Sequence, residues 1–483
     1  MCEKQVEGAQ ATPALNPRTM SRIVSARLQA SRSPTFRVPF LTAVSLLAAL
    51  LSCTKNEATG PGTTGVTVYD APPGPAWNGT AVAISVGDRA NCVRQSDGTV
   101  WCWGNTRGFG LRIDIGLRNV PGRQNADVVI DSICFAKRTG GVEYMVGWPC
   151  NVFKPVRVSD RSFASIVVPM MDGALCAIDA SGTPYCWDEG AGVITTPDST
   201  SSNGVQWCGT TLCLFRPQQL RTAQKLSTFA PATSACALST SGTVLCRGRN
   251  YKYLMGNRGI NFVTDTFVPV LGAPTSTAIT ASPDGYFGCA VATSGKVWCW
   301  GESLYGAVGN GSFSETVTTP TLVSSTLNFK ALVSTIGTNC GLTTGGLAYC
   351  WGDGRRGEIG WNGFGWSTTP YAVSGNRVYT QITAGPGHIC ALDAGGSAWC
   401  WGDNYFGQLG VTPVGCNGGP ICSPVPVAVQ GGHTFKQIAA GIAHTCGVTT
   451  NNEVYCWGAT QYGHLGLQRL STPYIAAPTK ISP

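Results

Sequence analysis

The chain has 483 residues, of which 43% are hydrophobic and only 12% are charged, so it is long enough for a large core and has few surface charges. The formal net charge is +8, and leaving out residues 1–53 reduces it to +4, from 27 Lys and Arg against 23 Asp and Glu. So small a charge excludes nucleic-acid binding through bulk electrostatics, and no nucleic-acid partner is expected.

Residues 1–53 have the features of an export signal. Arginines precede an apolar run over 38–51, which ends at Ser52 and Cys53. A basic segment followed by a short apolar one is typical of a secretory signal and is too short for a stable transmembrane helix. Leu50-Leu-Ser-Cys53 also resembles the lipobox of bacterial lipoproteins, so Cys53 is the predicted lipidation site. Ordinary secretion is the alternative, and Met20 is a candidate for the true start.

Residues 54–79 follow as a segment rich in Thr, Gly and Pro, which includes Pro73-Gly-Pro75. Such a composition predicts a flexible linker. The folded domain is therefore predicted over 80–483, exported either to the outer membrane as a lipoprotein or to the extracellular medium.

The rest of the chain is organised by seven pairs of cysteines, each pair ten residues apart. Their first members recur at intervals of 84, 60, 53, 51, 50 and 56 residues. A period near fifty residues is typical of repeat architectures. The pairs are Cys92 with Cys102, Cys176 with Cys186, Cys236 with Cys246, Cys289 with Cys299, Cys340 with Cys350, Cys390 with Cys400, and Cys446 with Cys456.

The sixth copy shows what a repeat contains. It runs through 381–385 and 388–392, then the turn 393–396, then 398–402. Short apolar runs rich in β-branched and aromatic residues, separated by glycine-containing turns, predict strands and hairpins. No helical periodicity competes with this pattern inside the repeats.

A hairpin centred on Gly395 would place Cys390 directly opposite Cys400, and Trp399 and Trp401 on the other face of the strands. Opposed residues in an antiparallel pair have Cα atoms about 4.5–5.5 Å apart, within the range of a disulfide. Each repeat is therefore predicted to contain a cross-strand disulfide. The alternatives are buried free thiols and a metal site, for which the spacing within each pair is unusually wide.

These residues resemble the repeat of RCC1-like proteins, the regulator of chromosome condensation family, whose repeat closes with Asn-x-x-Gly-Gln-Leu-Gly. That element is found at 404–410 and 461–466, with degraded copies at 253–256, 303–309 and 356–360. The resemblance covers about residues 80–483 and implies an all-β fold, a seven-bladed β-propeller of four-stranded blades. The second and third copies are the weakest, with Asp188 and Arg247 at positions where the family has glycine and tryptophan.

The ends of the repeat region suggest how the ring closes. The chain enters at 83–87, which matches the strand at 437–441, and leaves at 472–474, which we align with 369–371. On that alignment the chain starts and stops within a repeat. The N- and C-terminal strands are therefore expected to share one blade and to close the ring.

Six further cysteines form three local couples, which are Cys134 with Cys150, Cys208 with Cys213, and Cys416 with Cys422. Even, locally paired cysteines behind a secretion signal indicate an oxidising compartment. The couples lie in loops 104–170, 188–230 and 411–430, where the repeat spacing is longest. Because insertions in repeat proteins map to one face, often the binding face, these stapled loops are the predicted contact surface. The alternative is that the staples serve only durability.

A second candidate binding site is the segment from Gly360 to Trp366. Trp361, Phe364 and Trp366 are three large aromatic residues spaced by glycines in a short loop, and exposed aromatics can form a platform for a peptide or a sugar ring. The alternative is that they fold back over a blade edge. Trp148 and Trp207, which lie close to cysteines, are weaker candidates of the same kind.

The sequence contains little that indicates catalysis. Of four histidines, His388 and His444 occupy the same repeat position, which predicts a structural hydrogen bond. There is no nucleophile elbow, phosphate loop or paired carboxylate motif. No catalytic residue, metal ligand or cofactor is therefore predicted.

The resulting functional prediction is an exported, lipid-anchored and monomeric propeller at the bacterial cell envelope. Its unidentified partner would be a protein, a peptide or a glycan bound through the stapled loops. The RCC1-like family also includes secreted bacterial propellers that inhibit enzymes. Two alternatives remain: a cytoplasmic guanine-nucleotide exchange or regulatory protein, as the resemblance to the family's namesake implies, and a hydrolase or lyase with its active site in the channel.

Overall fold

The structure, a computed structural model, describes thirty-two strands and the turns around them. For the described strand residues within 135–157 and 205–218 it describes the backbone alone. The residues described are 77–87, 90–105, 135–139, 142–146, 151–157, 161–168, 175–187, 205–208, 211–214, 218–220, 222–230, 235–250, 252–256, 259, 263–413, 415–416, 421–467 and 472–481.

Seven four-stranded antiparallel sheets form the blades, each built from one uninterrupted stretch of sequence. Blades 1 to 3 are β1 (Ala83–Val86), β2 (Ala90–Arg94), β3 (Val100–Asn105) and β6 (Asn151–Arg157); β7 (Ser165–Val167), β8 (Leu175–Ile178), β9 (Pro184–Trp187) and β12 (Gln218–Gln219); β13 (Leu226–Ala230), β14 (Cys236–Ser239), β15 (Val244–Arg249) and β16 (Val263–Pro269). Blades 4 and 5 are β17 (Ser276–Ala281), β18 (Phe287–Ala292), β19 (Val297–Glu302) and β20 (Thr316–Leu322); β21 (Phe329–Ser334), β22 (Thr338–Thr343), β23 (Ala348–Asp353) and β24 (Trp366–Ala372). Blades 6 and 7 are β25 (Tyr379–Ala384), β26 (His388–Asp393), β27 (Ala398–Asp403) and β28 (Cys422–Ala428); β29 (Phe435–Ala440), β30 (His444–Thr449), β31 (Val454–Ala459) and β32 (Tyr474–Lys480).

The first strand of each blade lies innermost in the ring. β17 packs against β21, β21 against β25, β25 against β29, and β29 against β1, so blade 7 returns to blade 1. The described part of the chain is thus an all-β, seven-bladed propeller, which confirms the predicted fold class.

The expectation that the terminal strands share a blade is wrong. β1 opens blade 1, whereas β32 completes blade 7 as its outer strand. The error came from the alignment of the C-terminal segment: Tyr474 pairs with Ala459 as Trp366 pairs with Asp353, so Pro478 rather than Pro473 corresponds to Pro370. The chain therefore ends with a complete blade.

Side chains and a short N-terminal extension join blade 7 to blade 1. The Gln437 amide donates from Nε2 to the Ile84 carbonyl and accepts from the Ile84 N–H through Oε1, both at 3.1 Å. Thr80 forms an isolated antiparallel bridge with Glu453. Trp77 is buried and stacks on Trp103 at 6.4 Å, so the folded domain begins before the predicted linker boundary at residue 79.

The cysteine hairpins have the register that the spacing predicts. All seven repeat pairs form disulfides with Cα–Cα distances of 4.0–4.1 Å, and the cysteines are buried between blades with the apolar residues of the second and third strands. Each disulfide therefore links the two central strands of a blade. The bridges join Cys92 to Cys102, Cys176 to Cys186, Cys236 to Cys246, Cys289 to Cys299, Cys340 to Cys350, Cys390 to Cys400, and Cys446 to Cys456.

The outer strands contain a feature that the sequence analysis missed. In six blades a proline immediately precedes the residue that faces the second cysteine: Pro155, Pro217, Pro320, Pro370, Pro426 and Pro478. In five of these blades the pairing of the third and outer strands shifts register across the proline, which marks a bulge. Proline fits a free sheet edge because no ladder N–H is required there, and it blocks pairing with another strand.

Strand direction assigns the connections to two faces. First and third strands run the same way, so the loops after them emerge on one face, which we call the loop face; the remaining turns form the opposite face. The hairpin β4 (Phe135–Thr139) and β5 (Val142–Val146), the hairpin β10 (Val205–Cys208) and β11 (Thr211–Leu214), and the loop 404–421 all follow a third strand. All three insertions thus belong to the loop face.

Candidate functional site

The loop after each third strand joins its blade to the next one through a recurring hydrogen bond. Trp401 of blade 6 donates from Nε1 to the Glu358 carbonyl of blade 5, and Trp457 donates to the Gln408 carbonyl, at 2.9 and 3.0 Å. The same bond closes the ring, because Trp103 of blade 1 donates to the His464 carbonyl of blade 7 at 3.0 Å. The other two bonds are Trp300 to Leu254 and Trp351 to Ala307.

Glycine in these loops allows the close packing of neighbouring blades. A Cβ on Gly357 would stand 2.8 Å from the Pro424 Cα of the next outer strand, and a Cβ on Gly407 would stand 2.9 Å from the Ala476 Cα. Both glycines also have positive φ, of 86° and 71°, which disfavours a side chain. The Asn-x-x-Gly sequence therefore specifies a joint between blades.

Two kinds of titratable side chain are buried at these joints. Glu358 is 6% exposed, and burial raises its pKa to about 7. The two histidines predicted to have a structural role each bond to the next blade: His388 Nε2 lies 2.9 Å from Thr445 Oγ1, and His444 Nε2 donates to Asn91 Oδ1 at 2.7 Å. Burial lowers the His388 pKa to about 3, and burial with nearby His464 lowers the His444 pKa.

Blade 3 is built differently at the equivalent position. Arg247 replaces the tryptophan, is 2% exposed, and lies with its Cζ 5.7 Å from the ring centre of Phe267. Phe267 in turn occupies the place of the outer-strand proline. The weak third repeat noted in the sequence is therefore a paired replacement, in which an aromatic ring accommodates the buried guanidinium.

The tips of the same loops are exposed and differ from blade to blade. The two residues before the glycine are Leu304 and Tyr305 in blade 4 and an Arg pair in blade 5. In blade 6 they are Tyr405, which is 60% exposed, and Phe406. A constant buried half thus supports variable exposed side chains on the loop face.

The residues of the predicted aromatic segment, Gly360 to Trp366, lie partly in the buried and partly in the exposed environment. Trp366 is 51% exposed and Phe364 39% exposed. Trp361 instead folds back, is half-buried, and packs edge-on against Tyr371 at 5.0 Å. Two of the three candidates are therefore accessible on the loop face. Trp148 lies outside the described residues, and for Trp207 only the backbone, in β11's partner strand β10, is described.

Trp366 also contacts residues that the sequence analysis did not single out. Its ring lies 6.2 Å from Tyr305 and 6.2 Å from Phe313, both in the loop of the preceding blade. These two residues are about 50–60 positions away in sequence, so only the packing of blade 4 against blade 5 reveals the cluster. We call Tyr305, Phe313 and Trp366 the aromatic cluster.

Of the three couples outside the repeats, the structure describes one fully. Cys416 and Cys422 form a disulfide that staples the loop of blade 6, with Cα atoms 5.5 Å apart. In the second insertion the backbone register places Cys208 opposite Thr211 and Cys213 opposite Gln206. The predicted couple of Cys134 with Cys150 and the lipidation candidate Cys53 lie outside the described residues.

Within the part of the chain that the structure describes, no group of three or more His, Cys, Asp or Glu side chains is arranged to hold a metal ion. Nor does any helix among these described ranges have the length and apolar character to cross a membrane. Eight disulfides in one domain indicate an oxidising environment.

The fold and its joints define the class of protein, a disulfide-stapled propeller of the kind that presents loops for interaction. Two family profiles, both described as "Regulator of chromosome condensation (RCC1) repeat", match the sequence, one at residues 81–107, 379–408 and 435–463 and the other at 395–448. Segments 81–107 and 379–463 therefore match RCC1 repeats, in agreement with the resemblance inferred from the sequence.

Solved structures agree on the fold. Human WBSCR16 is 16% identical, with a TM-score of 0.59, and the match covers 82% of this chain and 95% of that one. Yeast RCC1 (Prp20), crystallised with Kap60, is 16% identical over 83% of this chain and 74% of that one, at a TM-score of 0.42. The ectodomain of the Arabidopsis thaliana receptor kinase ACR4 is 17% identical. That match covers 84% of this chain and 99% of that one, with a TM-score of 0.40. At these identities the similarity concerns the fold alone, and of these three structures WBSCR16, with its TM-score of 0.59, supports it.

Proposed function

We propose that this chain is an exported binding propeller that recognises its partner with the loop face. The observation that carries the proposal is the distribution of exposed aromatic side chains. Among the described residues, Tyr286, Tyr305, Phe313, Phe364, Trp366 and Tyr405 are all exposed on the loop face, and Tyr371, on an outer strand, is the remaining one. Aromatic residues concentrated on one surface are typical of binding sites.

The three insertions support the same surface. They extend the loop face at blades 1, 2 and 6, and the loop of blade 6 is stapled by a disulfide. A stapled loop loses less conformational entropy on binding than a free one, which favours affinity. The proposed partner is a protein, a peptide or a glycan at the cell envelope, bound without catalysis.

The location is the second part of the proposal. The disulfides favour an oxidising compartment, and the N-terminal signal with Cys53 supports attachment to the bacterial envelope through a lipid. A cytoplasmic exchange factor would not keep such disulfides, which argues against that alternative. Intact-mass analysis of native protein, alkylated without reduction, tests this: a chain beginning at acylated Cys53 with no free thiol is expected. A full-length chain with reactive thiols would contradict export.

A matched pair of leucines tests which face binds. Leu304 lies on the loop face and Leu271 on the opposite face, and each is 47% exposed. The photoreactive residue p-benzoylphenylalanine would replace each in turn, in cells that produce the protein. Crosslinked products are expected from position 304 and not from 271. Crosslinks from 271 alone, or from neither position, would show that the loop face is not the binding surface.

A further inference from the structure

The aromatic cluster is an open platform built across two blades. Phe313 is 60% exposed, Trp366 51% and Tyr305 37%, and Trp366 meets Phe313 edge-on and Tyr305 at a tilt of 38°. Tyr305 and Phe313 come from the loop after β19, and Trp366 is the first residue of β24. The three rings therefore share one surface, on which Phe313 and Trp366 are the most exposed.

The cluster is held in place before any ligand arrives. The Gly311 N–H donates to the Thr368 carbonyl at 2.9 Å, and a Cβ on Gly306 would stand 2.8 Å from the Thr368 Cα, so the loop of blade 4 is seated on β24. Tyr305 has φ +58°, a conformation that is unfavourable for a non-glycine residue and that persists where the surroundings impose it. Such strain is typical of functional sites.

The cations beside the cluster are paired. The Arg355 guanidinium lies 4.1 Å from the ring centre of Tyr305, but it is paired with Asp353, with Nε–Oδ1 3.0 Å and Nη2–Oδ2 2.7 Å. Lys252, the basic side chain that Glu315 influences, forms an ion pair with Glu302 at 2.8 Å. An anionic ligand would thus meet no unpaired cation among these groups.

The remaining polar groups beside the rings are amides and hydroxyls. The loop from Asn310 to Thr316 reads Asn-Gly-Ser-Phe-Ser-Glu-Thr, and Ser312 is exposed next to Phe313. Neutral donors and acceptors around exposed ring faces complement a ligand that has both C–H faces and hydroxyl groups, and a sugar ring has both.

Two other occupants fit this surface less well. A peptide that adds a strand to a blade would need a free edge, but the outer strands next to the cluster contain Pro320 and Pro370, each at a bulge. A large folded partner requires about 800 Å² per side, with a desolvated apolar centre. Three rings that are 37–60% exposed and bordered by hydroxyls suit a ligand only a few rings long.

We propose that the aromatic cluster is a binding site for a neutral saccharide, whose pyranose rings stack on Trp366, Phe313 and Tyr305 while the hydroxyl and amide groups of the 310–316 loop bind its hydroxyls. The inference rests on the proposed function, since it names the ligand class of the loop face. The C–H bonds on one face of a pyranose ring carry partial positive charge and are attracted to the negative face of an aromatic ring.

Calorimetric titration of the purified, oxidised protein tests the ligand class. The probes are neutral hexasaccharides of glucose in β-1,4 and α-1,4 linkage, of N-acetylglucosamine and of mannose, with hexagalacturonate as an anionic probe and a proline-rich decapeptide as a peptide probe. At least one neutral hexasaccharide is expected to bind, and hexagalacturonate and the decapeptide are not. Binding of no neutral probe, or tighter binding of the peptide, would overturn the proposal.

Substitutions locate the site. Trp366→Ala and Phe313→Ala are each expected to weaken saccharide binding about tenfold or more, because each removes a stacking ring. Tyr371→Ala is the matched control, since Tyr371 is 52% exposed against 51% for Trp366 but lies on the outer strand and away from the loop face. Circular dichroism establishes that each variant is folded. An equal loss in the Tyr371 variant, or no loss in the Trp366 variant, would overturn the assignment.

The two proposals fail in different ways. Crosslinks from position 304 to polypeptide, together with no saccharide binding, would reject the saccharide and leave the loop face as the binding surface. Saccharide binding that depends on Trp366 supports both proposals. Crosslinks from 271 alone, with no saccharide binding, would reject both.

Discussion

Each loop that follows a third strand has a buried half and an exposed half, and the two have different roles. In the buried half, a backbone carbonyl at Leu254, Ala307, Glu358, Gln408 or His464 accepts the indole N–H of the next blade. In the exposed half, the two tip residues change from blade to blade. Because a carbonyl is present whatever the side chain, the joint constrains the backbone and leaves the side chains at the tip free to vary.

Residues that stabilise the fold and residues that are available to bind a partner therefore lie within about six positions of each other in the chain. Substitutions at the joint should affect folding, whereas substitutions at the tip should affect only binding. It also explains why Glu358 and His464 can both occupy the accepting position, since the accepting group is the main chain. The predictions below test whether the separation holds.

The largest effect is expected at the joint that closes the ring. Trp103→Ala removes a fully buried indole, its bond to the His464 carbonyl and its contact with Trp77, and should lower the free energy of unfolding by about 3–5 kcal/mol. Trp366→Ala, the same substitution at a half-exposed position at the start of β24, should change it by less than about 1 kcal/mol. Denaturant unfolding with the disulfides intact measures both, and equal losses would contradict the separation.

A smaller, pH-dependent effect is expected at Glu358. The Glu358 carboxyl has a pKa of about 7 in the folded protein, against an ordinary value of 4.5. Its contribution to protein stability is therefore fully present below pH 4.5 and is lost as the pH rises through 7. Glu358→Gln introduces the residue that stands at Gln408. It should raise the free energy of unfolding at pH 8 by up to about 3 kcal/mol and change it little at pH 4.

The reverse substitution controls for Glu358. Gln408→Glu places a carboxyl at the same buried position of the next blade, where Gln408 Oε1 accepts the Phe406 N–H as Glu358 Oε2 accepts the Arg356 N–H. Gln408→Glu should lower the free energy of unfolding at pH 8 and leave it unchanged at pH 4. A gain from Glu358→Gln that was the same at both pH values would show that ionisation of the carboxyl is not its cause.

The smallest of the three effects is expected at His388. Its pKa is lowered to about 3, so the unfolded chain binds the proton more tightly and stability falls as the pH drops below 6.5. Between pH 7.5 and 4.5 this histidine should remove about 2–3 kcal/mol of stability. His388→Thr, which introduces the residue of blade 5 at that position, should remove this part of the pH dependence, as denaturant unfolding at the two pH values would measure.

The repeat could be predicted from the sequence because local pairing determines most of it. The spacing of Cys390 and Cys400 about Gly395 was sufficient for the hairpin register, since antiparallel partners are fixed by the turn. The position of the last strand was wrong because Thr-Pro-Tyr occurs both at an outer-strand bulge and at an outer-strand entry. Only the ladder distinguishes these two places.

The candidate site was predictable only in part. Trp366 and Phe364 stood out as aromatics among glycines, and both are exposed. Tyr305 and Phe313 lie in a degraded copy of the repeat and belong to the cluster only because blade 4 packs against blade 5. Contacts between the variable side chains of neighbouring repeats leave no mark at fixed spacing in the sequence, so a periodic signal does not reveal them.

The uninterrupted blades have a consequence for how such proteins change in evolution. Since β1 opens blade 1 and β32 completes blade 7, duplication or loss of about fifty codons adds or removes one whole sheet and leaves no strand without its partners. Each blade is therefore a unit of sequence as well as of structure, and the remaining blades keep all four of their strands.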